Sequence, residues 1–214
     1  MKIDLHVHTC YSRDSIITLE KLVSYARRQG LDGVAITDHD TVRGAIDMMK
    51  RTDLLIIPGI EVTSADGHIV GLNLQDWIPR GLSAEETVDR IHEASGIAVA
   101  CHPSALFKGS IGHKTSAKFD AVEVVNSSAI PFSRSVTKGE EIASRLNKSR
   151  VAGSDAHYGP EIGCAYTDID DGDTVDNIVR AILRGACEPR GGAMPPVIRL
   201  KREAMLLART LRLI

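Results

Sequence analysis

Aromatic residues and cysteines are both scarce in this chain of 214 residues. Aromatic side chains make up 4% of it, so it lacks the stacking platforms with which proteins hold long single-stranded nucleic acids. The cysteines show no CxxC spacing, which disfavours a zinc ribbon or a disulfide framework. The four are Cys10, Cys101, Cys164 and Cys187. We expect them to be reduced thiols in a cytoplasmic protein.

Long apolar runs and a large net charge are also missing. No run approaches the ~18 apolar residues of a membrane span, and residues 1–15 lack the apolar core of a secretory signal. The formal net charge is −2, so no overall basic field attracts nucleic acid. These absences predict a cytoplasmic monomer or homodimer that binds neither membranes nor nucleic acid stably.

Two common glycine-rich phosphate motifs are absent as well, since no GxGxxG follows the first predicted strand and no GxxxxGK[ST] occurs. Short apolar segments instead alternate with amphipathic stretches, which is typical of an α/β fold with a mainly parallel sheet. The strands are predicted at 3–8, 33–37, 54–61, 68–72, 97–101, 121–125 and 150–154. The helices are predicted at about 18–29, 41–51, 84–95, 137–147 and 174–185. These strands in a chain of this length favour a barrel smaller than the usual eight-stranded one.

One domain accounts for most of the chain. Residues 1–190 contain no linker, repeat or low-complexity tract, so we expect a single barrel over this range. The glycine- and proline-rich stretch at 191–196 marks the end of the barrel. Because basic and apolar residues mix over 197–214, we expect 191–214 to be a basic amphipathic tail. Its helix is expected to pack on the barrel or to form a dimer contact.

Histidines are the residues that carry most chemical information. Six of the eight lie at or beside the ends of predicted strands, where parallel barrels gather their functional residues. In the first strand, alternation places Asp4, His6 and His8 on the face toward the barrel interior and the apolar residues toward the covering helices. His6 and His8 can then bind one ion. The same alternation places Ala98 and Ala100 of the fifth strand inside the barrel, which leaves room for an ion or a substrate.

Carboxylates accompany these histidines at the same strand ends. The complete candidate set is His6, His8, Asp14, His39, Glu61, His68, His102, Asp155 and His157. Buried imidazoles and carboxylates without partners are costly, and shared divalent cations remove that cost. Nitrogen and oxygen donors without thiolate suit Zn, Mn or Fe. Since a catalytic ion takes three or four protein ligands, this set favours three ions in one chain.

Several short motifs occur in the order seen in one known family. They are LHVHT (5–9), TDHD (37–40), PGIE (58–61), HIVG (68–71), CHP (101–103), VEVVN (122–126) and GSDAH (153–157), followed by IGCAYT (162–167). Over residues 3 to 190 the chain resembles the PHP family, named for polymerase and histidinol phosphatase, in its metal-dependent phosphoesterase branch. The resemblance implies a distorted (βα)7 TIM-like barrel with a trinuclear metal site at its carboxyl face.

The resemblance also assigns ligands to each ion. The first ion takes His6, His8, Glu61 and Asp155. The second takes Glu61, which bridges the two ions, together with His68 and His102. The third takes Asp14, His39 and His157. Aspartate at position 14 is similar to the branch that includes nucleotide phosphoesterases, whereas histidinol phosphatases more often have histidine there.

The site predicts hydrolysis of a phosphate ester on a small phosphorylated metabolite or nucleotide. Two neighbouring ions lower the pKa of water, and we expect the metal-bound hydroxide to attack phosphorus in line. His157 or Asp38 is expected to transfer the proton, and the sequence does not select between them. Arg134, in the loop after VEVVN, resembles a phosphate-binding position of related enzymes. Further candidates for this contact are Arg13 in the first loop and Lys108, His113 and Lys114 in the loop after His102.

Two other activities stay open at this point. The same domain trims the 3′ ends of nucleic acids in some polymerases, although the composition disfavours a strand-binding surface. Amidohydrolases also begin with an HxH motif on the first strand. Their pattern has a lysine on a middle strand, where this chain has Glu61.

Overall fold

A computed structural model describes residues 1–170 and 173–211. Its strands form one sheet in the order β7-β6-β5-β4-β3-β2-β1-β8-β9. The strands are β1 (Lys2–Val7), β2 (Gly33–Ile36), β3 (Leu55–Thr63), β4 (His68–Leu72), β5 (Ile97–Ala100), β6 (Ala121–Asn126), β7 (Ser149–Gly153), β8 (Ala165–Ile169) and β9 (Cys187–Gly191). Each predicted strand is therefore present to within a few residues, and β8 and β9 were not predicted.

Two parallel groups of strands are joined by one antiparallel strand. β1, β2 and β3 run parallel to one another, as do β5, β6 and β7. β4 runs antiparallel to both β3 and β5, which introduces the distortion. Because β4 is reversed, its first residue, His68, lies opposite Thr63 at the end of β3. A residue that begins β4 thus reaches the edge where its parallel neighbours end.

The barrel closes where β1 meets the end of β7. The backbone N–H of Asp155 donates to the carbonyl of His6 at 2.8 Å, and the N–H of His8 donates to the carbonyl of Ala156 at 2.9 Å. This seam nearly closes the barrel and confirms the predicted fold class. β8 pairs antiparallel with β1, and β9 pairs with β8. β9 has the sequence CEPRG, whose proline and charges are typical of an exposed edge strand. Because this segment has no alternation of apolar and polar residues, the sequence pattern did not predict it.

Six α-helices accompany the sheet in the described part of the chain. They are α1 (Leu19–Arg28), α2 (Arg43–Met49), α3 (Ala84–Glu93), α4 (Phe132–Leu146), α5 (Val175–Leu183) and α6 (Pro196–Thr210). α3 begins with a capping box, in which Ser83 and Glu86 each bind the other's backbone N–H. None of these helices has the length and apolar character needed to cross a membrane. Residues 212–214 of the predicted tail lie outside the described residues.

Two helix starts differ from the prediction. α2 begins at Arg43 rather than near residue 41, because Asp40 has a positive φ of 54° and its side chain accepts the N–H of Thr63 instead of capping the helix. α4 begins at Phe132, five residues before the predicted start. The buried face of α4 carries the small residues Ser135, Gly139 and Ala143, so no apolar period revealed its first turns.

Strict alternation along β1 was a wrong prediction. Leu5 packs in the apolar cluster that also holds Ile57 and Val151, whereas Val7 packs with Leu22 of α1 in a different cluster. The pairing of β1 with β2 shifts register between Asp4 and Val7. Such an irregularity changes which face the following side chains occupy.

The faces of β5 are also the reverse of the prediction. Val99 and Cys101 belong to the same apolar cluster as Leu5, while Ala98 and Ala100 pack with Val88 of α3. The small alanines therefore give α3 close access to the sheet rather than leaving space inside the barrel. His102 has a positive φ of 32°, so the chain turns sharply between β5 and this histidine.

Candidate metal centre

Glu61, near the end of β3, is the centre of the histidine cluster. Its side chain is 1% exposed, and its two oxygens face different groups of imidazoles. Oε1 lies 2.9 Å from Nε2 of His102 and 3.0 Å from Nδ1 of His68. Oε2 lies 3.1 Å from Nε2 of His8, 3.2 Å from Nδ1 of His39 and 3.5 Å from Nε2 of His6. One carboxylate therefore separates two sets of nitrogen donors.

Asp155 is the second buried carboxylate of the cluster and follows β7. Its Oδ1 lies 3.6 Å from Nε2 of His8 and 3.8 Å from Nε2 of His6. The two backbone hydrogen bonds of the barrel seam hold Asp155 beside these histidines. Asp155 itself has a positive φ of 54°, so the chain turns sharply just after β7. The closure of the barrel and the position of this carboxylate are consequently one structural feature.

Asp14 completes the cluster from the long loop after β1. Its Oδ2 lies 3.2 Å from Nε2 of His157 and 3.4 Å from Nε2 of His39. The ring of His8 lies 4.2 Å from that of His157 and 4.5 Å from that of His39, measured between centroids. All nine side chains proposed as ligands from the sequence therefore meet in one continuous network.

The charges of the cluster shift the pKa values of several of its residues. Burial opposes ionisation of Glu61, but the facing imidazoles of His6 and His102 hold its pKa well below the usual range. Burial would lower the pKa of His8, yet the carboxylates of Asp155 and Glu61 raise it to about 9. The pKa of His157 is lowered by burial and by the charge of His8. The acidic and basic side chains of the cluster therefore lie close enough for each charge to shift the pKa of its neighbours.

The donor set fits divalent metal ions. Nε2 of His6 and Nε2 of His8 are buried, and neither forms a hydrogen bond within residues 1–170 and 173–211, although carboxylate oxygens lie 3.1–3.8 Å away. A buried imidazole nitrogen that makes no hydrogen bond is costly unless something else binds it. Several triplets of donor atoms lie within 4.8 Å of one another, among them His6, His8 and Glu61, and His8, His39 and His157. Imidazole and carboxylate donors suit Zn, Mn and Fe.

Asp38, a predicted proton-transfer candidate, lies under the loop after β1. Its oxygens accept the N–H of Thr9 at 2.7 Å, the hydroxyl of Thr9 at 2.7 Å and the hydroxyl of Ser12 at 2.8 Å. Ser12 Oγ also lies 3.3 Å from Nδ1 of His8 and accepts the N–H of His39 at 3.0 Å. These contacts favour a positioning role, because Asp38 orients two candidate ligands through Ser12.

Glu123 is a site residue that the sequence analysis missed. It lies inside β6, and its Oε2 accepts the N–H of His102 at 2.7 Å and the side-chain amide of Asn126 at 2.9 Å. The same amide donates to Oδ2 of Asp155 at 3.3 Å. A signal was available, because Glu123 is the one charged residue in the apolar segment AVEVVN. Charged residues are seldom fully buried in a strand without a specific partner.

Lys108 reaches the cluster from the loop after β5. Its Nζ pairs with Oδ2 of Asp155. The loop also supplies Phe107, which is 97% exposed, to the rim of the cavity above the cluster. This cavity has a volume of about 220 Å³. A cation therefore lies beside the buried carboxylate of Asp155, at the rim of this cavity.

The remaining predicted residues lie at different depths. Asp4 is completely buried and accepts the N–H groups of Ser154 and Gly163, both at 2.9 Å, so it ties β1 to the loop after β7. Burial raises the pKa of Asp4 to about 6. Arg134 is an exposed residue in the first turn of α4 and is not among the residues that line the cavity.

Comparison with known proteins identifies similar sequences. An uncharacterised protein of Methanocaldococcus jannaschii is 36% identical over 140 residues, which is 59% of this chain and 82% of that protein. A phosphoribosyl 1,2-cyclic phosphate 1,2-diphosphodiesterase of Eggerthella lenta is 34% identical over 43% of this chain. A 5′-3′ exoribonuclease of Salmonella typhimurium is 37% identical over 45% of it. The chain spans 38% and 36% of the lengths of these two enzymes.

Solved structures show the same fold. A two-domain protein of Bacteroides vulgatus, containing a predicted PHP-like metal-dependent phosphoesterase, matches with a TM-score of 0.76 and 17% identity. The match covers 90% of this chain and 65% of that one.

Two family descriptions match the sequence itself: PHP domain over residues 4–126 and PHP-associated over residues 134–187. Since the first of these spans more than half of the sequence and contains most of the clustered histidines, the chain belongs to the PHP domain family.

Proposed function

We propose that this chain is a metal-dependent phosphoesterase that hydrolyses a phosphate ester of a small phosphorylated metabolite or nucleotide. The observation that carries the proposal is the position of Glu61, whose two oxygens lie within 3.5 Å of nitrogen atoms from five histidines. A carboxylate in this position is suited to bridge two cations. Clusters of adjacent cations are a common solution to phosphoryl transfer, because they offset charge on both the attacking and the leaving oxygen.

Three ions per chain agree with the arrangement of donors. Glu61 would bridge a first ion, held with His6, His8 and Asp155, to a second ion. His68 and His102 would complete the second ion. Asp14, His39 and His157 would hold a third. When bound, such ions lower the pKa of water toward neutrality and polarise the phosphate oxygens.

The protein's own residues would bind the phosphate and move the proton. Lys108 lies on the rim of the cavity and would bind phosphate oxygens once Asp155 binds cations. Arg134 is another candidate for this contact, and its exposed position gives it less support. Asp14, which is half exposed and would bind the third ion through one oxygen, would hold at its other oxygen the proton that the attacking water loses, since Nε2 of His157 would be bound to the ion.

The size of the cavity supports a small reacting group. Its volume of about 220 Å³ is below the range of roughly 300 to 1,000 Å³ typical of pockets that enclose a whole organic ligand. A phosphoryl group with its leaving oxygen fits this space, while the remainder of the substrate extends past Phe107 and Lys108. The cavity therefore encloses the reacting phosphoryl group, and it constrains the identity of the released alcohol much less.

Hydrolysis of an aryl phosphate tests the proposal. Purified protein is stripped of metal and then assayed with p-nitrophenyl phosphate and its bis-ester after addition of Mn or Zn. We expect metal-stimulated hydrolysis that His8→Ala abolishes. His92→Ala is the matched control, because His92 lies on α3 and pairs with Asp120 outside the cluster. Failure of metal-loaded protein to hydrolyse any member of a broad phosphoester panel would contradict the proposal.

A nuclease activity is the second candidate. It is favoured by the similarity to an exoribonuclease. The net charge of −2 does not favour binding of a long strand. A 5′-phosphorylated oligonucleotide and the matching mononucleotide, compared at two salt concentrations, distinguish the candidates. Faster release of product from the oligonucleotide, lost at high salt, would favour the nuclease.

A further inference from the structure

Glu161, in the loop after β7, is a buried carboxylate attached to the metal centre through the backbone. Its side chain has no exposed surface. Oε2 accepts the N–H of His157 at 2.7 Å and the N–H of Tyr158 at 3.1 Å. Because His157 is a candidate ligand, Glu161 fixes the segment from which that imidazole projects.

The other oxygen of Glu161 faces a cation from the C-terminal helix. Oε1 forms no hydrogen bond within the described residues, and Nη1 of Arg202 lies 3.5 Å from it. The Arg202 side chain is itself 13% exposed, so this ion pair between α6 and the barrel is largely withdrawn from water. Removing one partner of such a pair leaves a buried charge without compensation, which is strongly destabilising.

Two further arginines of α6 bind loops at the same edge of the barrel. Nη2 of Arg199 donates to the carbonyl of Ser128 at 3.1 Å. Nη1 of Arg209 donates to the carbonyl of Ser15 at 2.7 Å. Ser15 follows Asp14 in the sequence, and its hydroxyl donates to the carbonyl of His8 at 2.9 Å.

The helix therefore contacts the loops that follow β1, β6 and β7. Two of these loops carry Asp14 and His157, the carboxylate and the imidazole that lie 3.2 Å apart at the third proposed ion. Both segments that match the family descriptions end before α6, the later one at residue 187. The residues of α6 thus lie outside both of these matches.

We propose that Arg202 is a positioning residue of the metal centre. Acting through Glu161, it holds the backbone of His157 in place, so that α6 sets the affinity of the ion bound by Asp14, His39 and His157. This inference rests on the proposed function in one respect, namely that the clustered side chains bind metal ions. It requires no statement about the substrate. Arg202 touches neither substrate nor metal in this scheme.

The affinity for metal, measured without substrate, tests the inference. Metal-free protein is titrated with Mn, and bound ions are counted by electron paramagnetic resonance and mass spectrometry. Residues that orient metal ligands typically change affinity by about 10- to 100-fold. We expect Arg202→Met to weaken one class of bound ion by that factor and to leave the tightest class unchanged. Arg145→Met, an exposed arginine of α4, should bind all ions as the unaltered protein does.

A double-mutant cycle shows whether Arg202 acts through Glu161. Glutamine at position 161 keeps an oxygen that can accept the N–H of His157 but carries no charge that needs Arg202. We expect Arg202→Met to weaken the ion in the Glu161 background and to have less than about a two-fold effect in the Glu161→Gln background. Equal losses in both backgrounds, or unchanged metal affinity in Arg202→Met, would overturn the inference.

A conservative variant covers the case in which Arg202→Met fails to fold. Arg202→Lys keeps the positive charge, and circular dichroism and the melting temperature report its folding. We expect a folded protein whose affinity for the weakened ion lies between those of Arg202→Met and the unaltered chain, or below the unaltered chain if Arg202→Met is unfolded. Folded Arg202→Lys with full affinity for every ion, beside an unfolded Arg202→Met, would overturn the inference. Metal binding as predicted without phosphoester hydrolysis would instead count only against the proposed function.

Discussion

Oε1 of Glu123 lies 3.1 Å from Nδ1 of His6, and the other ring nitrogen, Nε2, faces Glu61 and Asp155. Both side chains are almost completely buried, with 3% and 1% of their surfaces exposed. A carboxylate at Nδ1 favours the tautomer in which Nδ1 carries the proton and Nε2 is free to bind a cation. If His6 is a ligand as proposed, Glu123 prepares it for metal binding although it is not itself among the nine proposed ligands.

Replacing Glu123 by glutamine should weaken metal binding. The amide removes the negative charge beside Nδ1, so the His6 ring loses both orientation and basicity. We expect a loss of about 10- to 100-fold in affinity for the tightest ion, measured by calorimetric titration with Mn or Zn. Glu141→Gln provides the control, because Glu141 is exposed on α4 and pairs only with Lys138 among the described residues. An unchanged affinity in Glu123→Gln would show that His6 needs no such partner.

Divalent metal should stabilise the folded chain. An ion that binds only the folded state, present at about 100 times its dissociation constant, raises the free energy of unfolding by about 2.7 kcal/mol. For a chain of this length that corresponds to a rise of roughly 5–10 °C in the melting temperature. Differential scanning fluorimetry with and without EDTA measures the shift. A melting temperature that Mn and Zn leave unchanged would argue against the cluster as the binding site. So would a metal-induced shift in His8→Ala as large as that of the unaltered protein.

Lys108 should contribute more to substrate binding than Arg134. Hydrogen bonds to charged groups are worth about 1.5–3 kcal/mol, so Lys108→Met is expected to raise KM by about 10- to 100-fold with metal content unchanged. Arg134→Met replaces an exposed side chain of α4, and its KM should change by less than about two-fold. Steady-state kinetics and metal analysis of both variants check the expectation. The reverse order of effects would identify Arg134 as the phosphate contact.

Thiol alkylation should follow exposure and pH. Burial raises the pKa of Cys164 and of Cys187 to about 11 in each case. At pH 8 only about one in a thousand of these thiols is the reactive thiolate, and that fraction rises about tenfold for each pH unit below the pKa. Cys10 is exposed and should react first with iodoacetamide, as shown by peptide mass spectrometry. Rapid labelling of Cys187 at neutral pH in folded protein would contradict these assignments.

Sequence reasoning located the proposed metal ligands because their signal is chemical. Imidazoles and carboxylates such as His6 and Glu61 stand out against apolar strand segments, and the ends of parallel strands meet at one edge of a barrel. The direction of each side chain was less predictable. The register shift in β1 depends on its pairing with β2, and His102 turns with a positive φ at the point where its N–H binds Glu123 of β6.

The supporting contacts lay beyond the sequence for a different reason. Glu123 binds His6 across 117 positions, and Arg202 meets Glu161 only because α6 returns over the barrel. A carboxylate or an arginine has no sequence signature that names its partner. The start of α4 was misplaced for a related reason, since its buried face carries Ser135, Gly139 and Ala143 rather than large apolar residues.

The seam between His6 and Asp155 has a consequence for biosynthesis. These residues are joined by backbone hydrogen bonds although 149 positions separate them, so the ribosome must release most of the polypeptide before the seam can form. Until then the first strand presents its imidazoles with only part of their carboxylate partners. The complete set of donors, which includes Asp155 and His157, therefore exists only after translation has passed the seventh strand.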